Sequence, residues 1–424
     1  MLNRDIVVLF TILLAGCSSG KAQDRVASAL DAIRDRHWQP PDDARLADHA
    51  VRAMVAELDP HSAYFDEEEL RWFEEDVRGR YGGVGIEVIP EGDSWRVTAV
   101  VPGGPADARG LHAGDLIDRV DEFIPGKATR LELLKRLRGP VGGAVTLEVR
   151  AGGAVDGRTA ITIVRAPVTA RSVSHHEPVV DGLGVALIRI RQFQDSTREA
   201  FATLEARILA GGDLRGIVLD LRGNPGGLVD VARSIAGRWV SSGPIHGMAL
   251  RGQGYRTAFA EGDAPLAHVP TVVIVDASTA SAAELLAAAL RERLGTPIVG
   301  ERTFGKGTVQ IVERLRGGGA LDLTVGEYRT ACGNTIQARG LEPDVVFGGE
   351  DATSRKPLRE ADLPRSLRID APHEAPRAAA LDALTPVQRP NDARLSDAAL
   401  LRARALLLDA INAREATTLR ECPP

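Results

Sequence analysis

The period of the hydrophobic positions changes several times along the chain, and each change marks a segment. Between residues 22 and 75 they recur at helical spacing, as Val26, Leu30 and Ile33 and then, after the Pro40-Pro41-Asp42-Asp43 break, as Val51, Met54, Val55 and Leu58. That predicts an acidic helical lead-in. From Tyr81 to about Arg165 short alternating strands are punctuated by glycine, with one helix in which Thr129 caps a stripe of Leu131, Leu134 and Leu137. From 166 to about 348, buried apolar runs alternate with small-residue helices, the signature of an α/β domain. The predicted strands are Gly184 to Ile190, Gly216 to Leu221, Thr271 to Val275, Pro297 to Gly300 and Thr308 to Val312; the helices are Leu228 to Ala236 and Ala282 to Arg291. Six prolines between Gly349 and Pro390 predict a linker or wrapping segment, and a last helix from Ser396 carries Leu400, Ala403, Leu407 and Ile411 on one face.

Composition narrows the function classes. With 424 residues, 44% hydrophobic and 26% charged, the chain is an ordinary globular one of several domains. A net charge of -6 and only 4% aromatics give neither a basic field nor stacking platforms for nucleic acid. The three cysteines, Cys17, Cys332 and Cys422, are too few for a disulfide framework, and nothing in the spacing pairs Cys332 with Cys422. Residues 1–16 hold Arg4, an apolar run from Ile6 to Leu14 and then Leu14-Ala15-Gly16, the layout of a secretory signal. With Cys17 the ending resembles a bacterial lipobox, which implies an acylated Cys17, a membrane anchor and a cell-envelope location. In a Gram-negative source, Ser18 and Ser19, with no Asp after the cysteine, favour the outer membrane over the inner.

Two segments carry chemistry. In Asp276-Ala277-Ser278-Thr279-Ala280-Ser281-Ala282-Ala283-Glu284 a buried strand gives way, through a Ser/Thr turn, to an alanine-rich helix. Ser281 and Glu284 fit a capping box; the same geometry projects a serine hydroxyl where helix N–H groups face developing negative charge. A nucleophilic serine needs a base, and no histidine of the nine occupies a convincing place; His175-His176 point to opposite faces of a strand, and no metal-ligand spacing occurs. Lys306, one of five lysines, lies in the uncharged run Thr303-Phe304-Gly305-Lys306-Gly307-Thr308-Val309-Gln310. It is either a solvated turn lysine or a base stripped of its proton by burial, and on a strand Gln310 shares its face and can orient the amine.

The glycine-rich turn Tyr81 to Val88, with Pro105-Ala106, Gly110-Leu111 and Gly114-Asp115 in register, resembles a PDZ domain. The whole chain resembles the C-terminal processing peptidases, or tail-specific proteases, through Leu58-Asp59-Pro60-His61-Ser62, Leu219 to Gly227, Ser278 to Glu284, Phe304 to Gln310 and Gly340 to Asp344. That resemblance implies a helical N-terminal region (17–77), a PDZ domain (78–166), an α/β crotonase-like Ser-Lys catalytic domain (167–350) and a tail (351–424). It also implies Ser281 as nucleophile, Lys306 as base, Gln310 as its orienting partner, an oxyanion hole from Gly226 or Gly227 with Ala282, supporting roles for Asp220, Arg222 and Glu284, and tail binding at Gly83, Val84, Gly85 and Ile86. Arg138, at the end of the PDZ helix, is a cap charge or a coupling residue. Thr279 and Ala283 stand where the family's segment usually has serines. No cofactor is implied; protein tails are the implied partners, with an adaptor protein a further candidate. The alternatives are a catalytically silent tail-binding scaffold and a crotonase-like acyl-handling enzyme.

Overall fold

The computed structural model describes residues 19–39, 42–126, 130–151, 157–346, 357–369, 398–412 and 420–422. The expectations at Cys17 and its leader, at Thr129 and at Ser396 lie outside them. The chain divides into two compact units, Met1–Leu58 and Asp59–Pro424. In the first, helices α1 (Ser19–Arg36) and α2 (Asp43–Val55) flank the predicted break, and the Asp42 carboxylate caps α2 by accepting the Arg45 N–H at 3.0 Å.

The second unit opens with a strand, β1 (Ala63–Phe65), followed by α3 (Glu67–Arg78) and β2 (Arg80–Gly83). The strand corrects the expected all-helical lead-in: β1 forms by pairing with residues 320–322, information that local periodicity does not carry. Next come β3 (Ile86–Glu91), β4 (Ser94–Val100), β5 (Leu116–Val120), α4 (Arg130–Leu137), β6 (Ala144–Arg150) and β7 (Arg158–Val164), and then β8 (Ala166–Thr169). Strands β3 to β7 form an antiparallel sheet in sequence order, the arrangement expected of the PDZ segment. Its core, Trp95, Val97, Ile117, Leu133, Leu147 and Ile163, is fully buried. β2 pairs antiparallel with β8, so the insert begins and ends on one two-stranded ribbon.

The rest of the unit contains β9 (Val173–Val180), β10 (Val185–Ile190), α5 (Asp195–Ala210), β11 (Gly216–Asp220), α6 (Val229–Ala236), β12 (Pro244–Leu250), β13 (Gly254–Phe259), β14 (Thr271–Val275), α7 (Ala282–Leu294), β15 (Ile298–Gly300), β16 (Thr308–Arg314), β17 (Ala320–Thr330), β18 (Val345–Val346) and α8 (Ala398–Asn412). One sheet runs β18-β15-β14-β11-β10-β9, parallel except at β9. Both faces of its central strands are covered, which is why they read as unbroken apolar runs. Val273 and Val275 point into the core shared with α5, α6 and α7, while Val272 and Ile274 pack against Leu400, Ala403, Leu406 and Leu407 of α8. A second, antiparallel sheet runs β1-β17-β12-β13, with β16 also on β17.

Cys332 and Cys422 form a disulfide across 90 residues, a pairing for which the spacing gave no reason. The partner position is set by tertiary docking: the Arg420 N–H donates to Arg293 O at 2.7 Å at the end of α7, and the Cys332 N–H donates to Glu292 of the same helix at 2.7 Å. Both cysteines are therefore delivered to one end of α7.

Candidate active site

Two strand-to-helix turns meet at the carboxyl ends of β11 and β14, where ligands collect in open parallel sheets. Asp276 joins them by accepting the Gly223 N–H at 3.0 Å, and the Ala280 N–H donates to Asn224 O at 2.9 Å. Thr279, a departure from the family's usual serine, is fully buried and donates its hydroxyl to Leu221 O at 3.0 Å, tying the two turns together. The second turn ends at Ser281, in a conformation (φ 56°, ψ -121°) rarely adopted by a residue other than glycine. The surrounding bonds hold that strained backbone at the start of α7.

Glu284, one turn into α7, is fully buried and organises the second segment. Its Oε2 accepts the N–H groups of Ser281 (2.8 Å) and Lys306 (3.0 Å), and its Oε1 accepts the Gly305 N–H (2.9 Å) and the Thr303 hydroxyl (2.5 Å). One carboxylate thus binds the serine turn to the lysine loop. Burial pushes its pKa up to about 7, while the donors favour the charged form.

Lys306 is half-buried, and burial lowers its pKa from the ordinary lysine value against the opposing pull of Glu360, Asp322, Asp59 and Glu284. Its Nζ donates to Gln310 Oε1 at 2.5 Å. The shared-face expectation needs adjusting, because β16 begins only at Thr308 and is irregular between Val309 and Gln310; the two side chains nevertheless meet. Gln310 Nε2 donates to Thr308 Oγ1 at 2.8 Å and Thr324 Oγ1 at 3.1 Å. Ser281, Lys306, Thr308 and Gln310 line one cleft of about 430 Å³, with Phe73, Val77, Phe193, Leu228 and Val312 as an apolar wall.

Of the expected oxyanion donors, the Gly226 N–H is already engaged by Asn224 Oδ1 at 2.9 Å, which corrects its assignment as a donor. Its contribution is space, since a Cβ there would lie 2.8 Å from that of Ser281. Among the described residues neither the Gly227 N–H nor the Ala282 N–H meets an acceptor. Asp220 and Arg222 close on each other in a two-pronged pair (2.9 and 2.8 Å) that does not line the cleft. They brace the end of β11 and do not touch the serine or lysine.

Gly83, Val84, Gly85 and Ile86 are buried where the chain passes from the end of β2 into β3, the outer strand of its sheet. The carbonyls of Val84 and Gly85 accept the N–H groups of Ala106 and Val101 at 2.9 Å each, while the N–H groups of Val84 and Gly85 meet no backbone acceptor among the described residues. Arg138 lies over the Tyr81 ring and 3.6 Å from Asp76, a residue of the cleft rim that also accepts from Gln192 at 3.1 Å. The guanidinium thus reaches from the PDZ insert to the cleft.

Sequence reasoning missed four groups in or behind the cleft. His61 lines the cleft, with its Nε2 2.7 Å from the fully buried Glu360, so a histidine does stand at this site. Glu360 belongs to the expected linker, whose described residues 357–369 clasp the lysine loop through the Glu360 N–H to Phe304 O (3.1 Å) and Arg359 to Thr303 O (2.9 Å). Asp322, from β17, also lines the cleft, and burial raises it to about 6. Asp59 binds Thr324 behind Gln310 at 3.0 Å. The available signal was the motif Leu58 to Ser62, whose chemistry depends on β17.

Comparison with known proteins gives the family. The sequence model of peptidase family S41 matches residues 184–347 and that of the PDZ domain residues 75–150. The carboxy-terminal-processing protease of Bartonella bacilliformis is 32% identical over 392 residues, covering 88% of this chain and 86% of that protein. The carboxy-terminal processing protease CtpA of Bacillus subtilis is 32% identical over 329 residues, covering 76% and 68%. A solved photosystem II D1 C-terminal processing protease is 27% identical, covers 79% of this chain and 94% of that one, and has a TM-score of 0.47. The chain belongs to the carboxy-terminal-processing proteases of peptidase family S41, and is a serine peptidase with a PDZ domain.

Proposed function

We propose that Ser281 is the nucleophile and Lys306 the general base of an endopeptidase acting on proteins whose tails the PDZ domain captures. The observation that carries the reading is the Lys306 amine, its pKa lowered by burial, held by Gln310 in the cleft that Ser281 lines. As Ser281 Oγ bonds to the scissile carbonyl carbon, its proton passes to Lys306 Nζ and the new oxyanion falls to the N–H groups of Gly227 and Ala282. When the C–N bond breaks, Lys306 returns that proton to the leaving amine. A water then repeats the attack with Lys306 as base, and Ser281 leaves protonated. The apolar wall suits an apolar side chain beside the scissile bond. The unengaged N–H groups of Val84 and Gly85, with the outer edge of β3, suit a tail carboxylate and an added strand. Acylation of Cys17 would hold the enzyme on the cell envelope, on the outer membrane by the Ser18-Ser19 rule, where an adaptor protein could deliver substrates.

The test is cleavage of an unfolded protein with an apolar tail by wild type, Ser281→Ala and Lys306→Ala. Both variants should lose turnover while keeping their melting temperature; retained cleavage in either removes the assignment. Amidating the tail should weaken binding to the PDZ insert, and Cys17→Ala should move the protein out of the membrane fraction.

A further inference from the structure

Three residues of the Leu58 to Ser62 motif converge behind Gln310. Asp59 Oδ1 accepts the Thr324 hydroxyl at 3.0 Å and the N–H groups of His61 and Ser62 at 3.0 and 3.1 Å, and its Oδ2 accepts the Ser62 hydroxyl at 2.6 Å. Ser62 Oγ in turn accepts the Thr324 N–H at 3.1 Å, so Thr324 is held by both backbone and side chain. Burial pushes the Asp59 carboxyl up, but these hydrogen bonds outweigh it and keep the group below the ordinary carboxylate range. It is ionised at neutral pH.

An ionised carboxylate only accepts. The one hydroxyl proton of Thr324 is committed to Asp59, so toward Gln310 the oxygen can only accept in turn. The atom 3.1 Å away must then be the amide nitrogen, and the carbonyl Oε1 is left facing Lys306. Turned over, the amide would place a carbonyl against a hydroxyl with no proton to give, and would aim N–H groups at the lysine. Those would repel the ammonium or occupy the lone pair that the free amine needs to take a proton. Thr308, the other partner of Nε2, has no carboxylate fixing its proton among the described residues and accepts either orientation.

We propose that Asp59 and Thr324 are positioning residues for the base: the carboxylate sets the direction of the chain from Asp59 through Thr324 and Gln310, which keeps the Lys306 lone pair available to Ser281. The motif residues reach this place because β1 pairs with β17, with Ala63 opposite Asp322. The proposal rests on the reading of Lys306 as the base.

The test uses the full chain and an unfolded protein substrate such as casein. Thr324→Val, which removes the hydroxyl and keeps the shape, should lower kcat by about 10- to 100-fold with KM within about twofold, whereas Thr324→Ser should stay within about threefold of wild type. In a Gln310→Ala background Thr324→Val should cause no further loss, because the residue it acts through is gone. Wild-type kcat in Thr324→Val, or the same loss with and without Gln310, overturns the proposal. If Thr324→Val does not fold, Asp59→Ala is read by the same kcat comparison in the two backgrounds. Turnover by Lys306→Ala removes the reading underneath; an inactive Lys306→Ala beside a fully active Thr324→Val removes this proposal alone.

Discussion

Gly226 offers the sharpest test of the cleft geometry. Its φ is +101°, and an added Cβ would lie 2.8 Å from Ser281 Cβ, 2.9 Å from Ala280 O and 3.1 Å from Ala282 N. Ordinary contact begins near 3.4 Å, so in Gly226→Ala the serine turn must yield by about 0.6 Å. It cannot drift independently, because Ala280 is bonded to Asn224 and Ser281 to Glu284. A 1 Å misplacement of reacting groups costs on the order of 100-fold in rate, so kcat should fall about 10- to 100-fold. Positive φ and crowding together should cost about 2–5 kcal/mol of stability. Gly212→Ala separates the two effects, since Gly212 has φ +81° but nothing within 4 Å of the added Cβ. It should lose about 1–2 kcal/mol and no kcat. Steady-state kinetics and thermal unfolding of both variants decide the matter. Wild-type kcat in Gly226→Ala, or equal kcat losses in both, would refute the reasoning.

Three further outcomes are expected. Glu284→Gln puts an amide NH2 where two donors point; at about 1–3 kcal/mol for each unsatisfied group, the variant should be about 2–6 kcal/mol less stable and inactive, and an unchanged melting temperature counts against the four-donor arrangement. The rise of kcat/KM with pH should have its midpoint below the ordinary lysine value; Asp322 favours the Lys306 ammonium, so Asp322→Asn should move the rise to lower pH, and a move to higher pH would contradict the assignment. Closing a 90-residue loop contributes about 4–5 kcal/mol in the chain-entropy account, so reductant should lower the melting temperature of wild type and leave that of Cys422→Ser, already lower, unmoved.

Much of the site was legible because it is local. Ser281 with Glu284 is a strand-to-helix turn within a few residues, and Lys306 is the lone charge in an uncharged run. The parallel strands were legible because two-sided burial leaves a continuous apolar signature. β12, β13 and β17 were not anticipated: they form an antiparallel sheet whose residues are largely half-exposed in β12 and β17 and exposed in β13, so polar and apolar types mix. The Gly226 N–H was misassigned because its acceptor, Asn224, lies two residues away in a turn whose side-chain direction the sequence does not state. Asp59 and Thr324 are 265 residues apart and the two cysteines 90, so each pairing exists only once tertiary docking has occurred.

The ribbon of β2 and β8 has a consequence for how such enzymes diversify. Arg80 pairs with Thr169, so the inserted domain enters and leaves at the distance of two neighbouring strands. An insertion whose ends meet leaves its host's backbone unstretched. Another module with adjacent ends, or a plain hairpin, could take its place while β9 and α3 keep their positions. The PDZ domain is thus a cassette, and peptide recognition can be exchanged or duplicated without re-solving the geometry that holds Ser281 and Lys306.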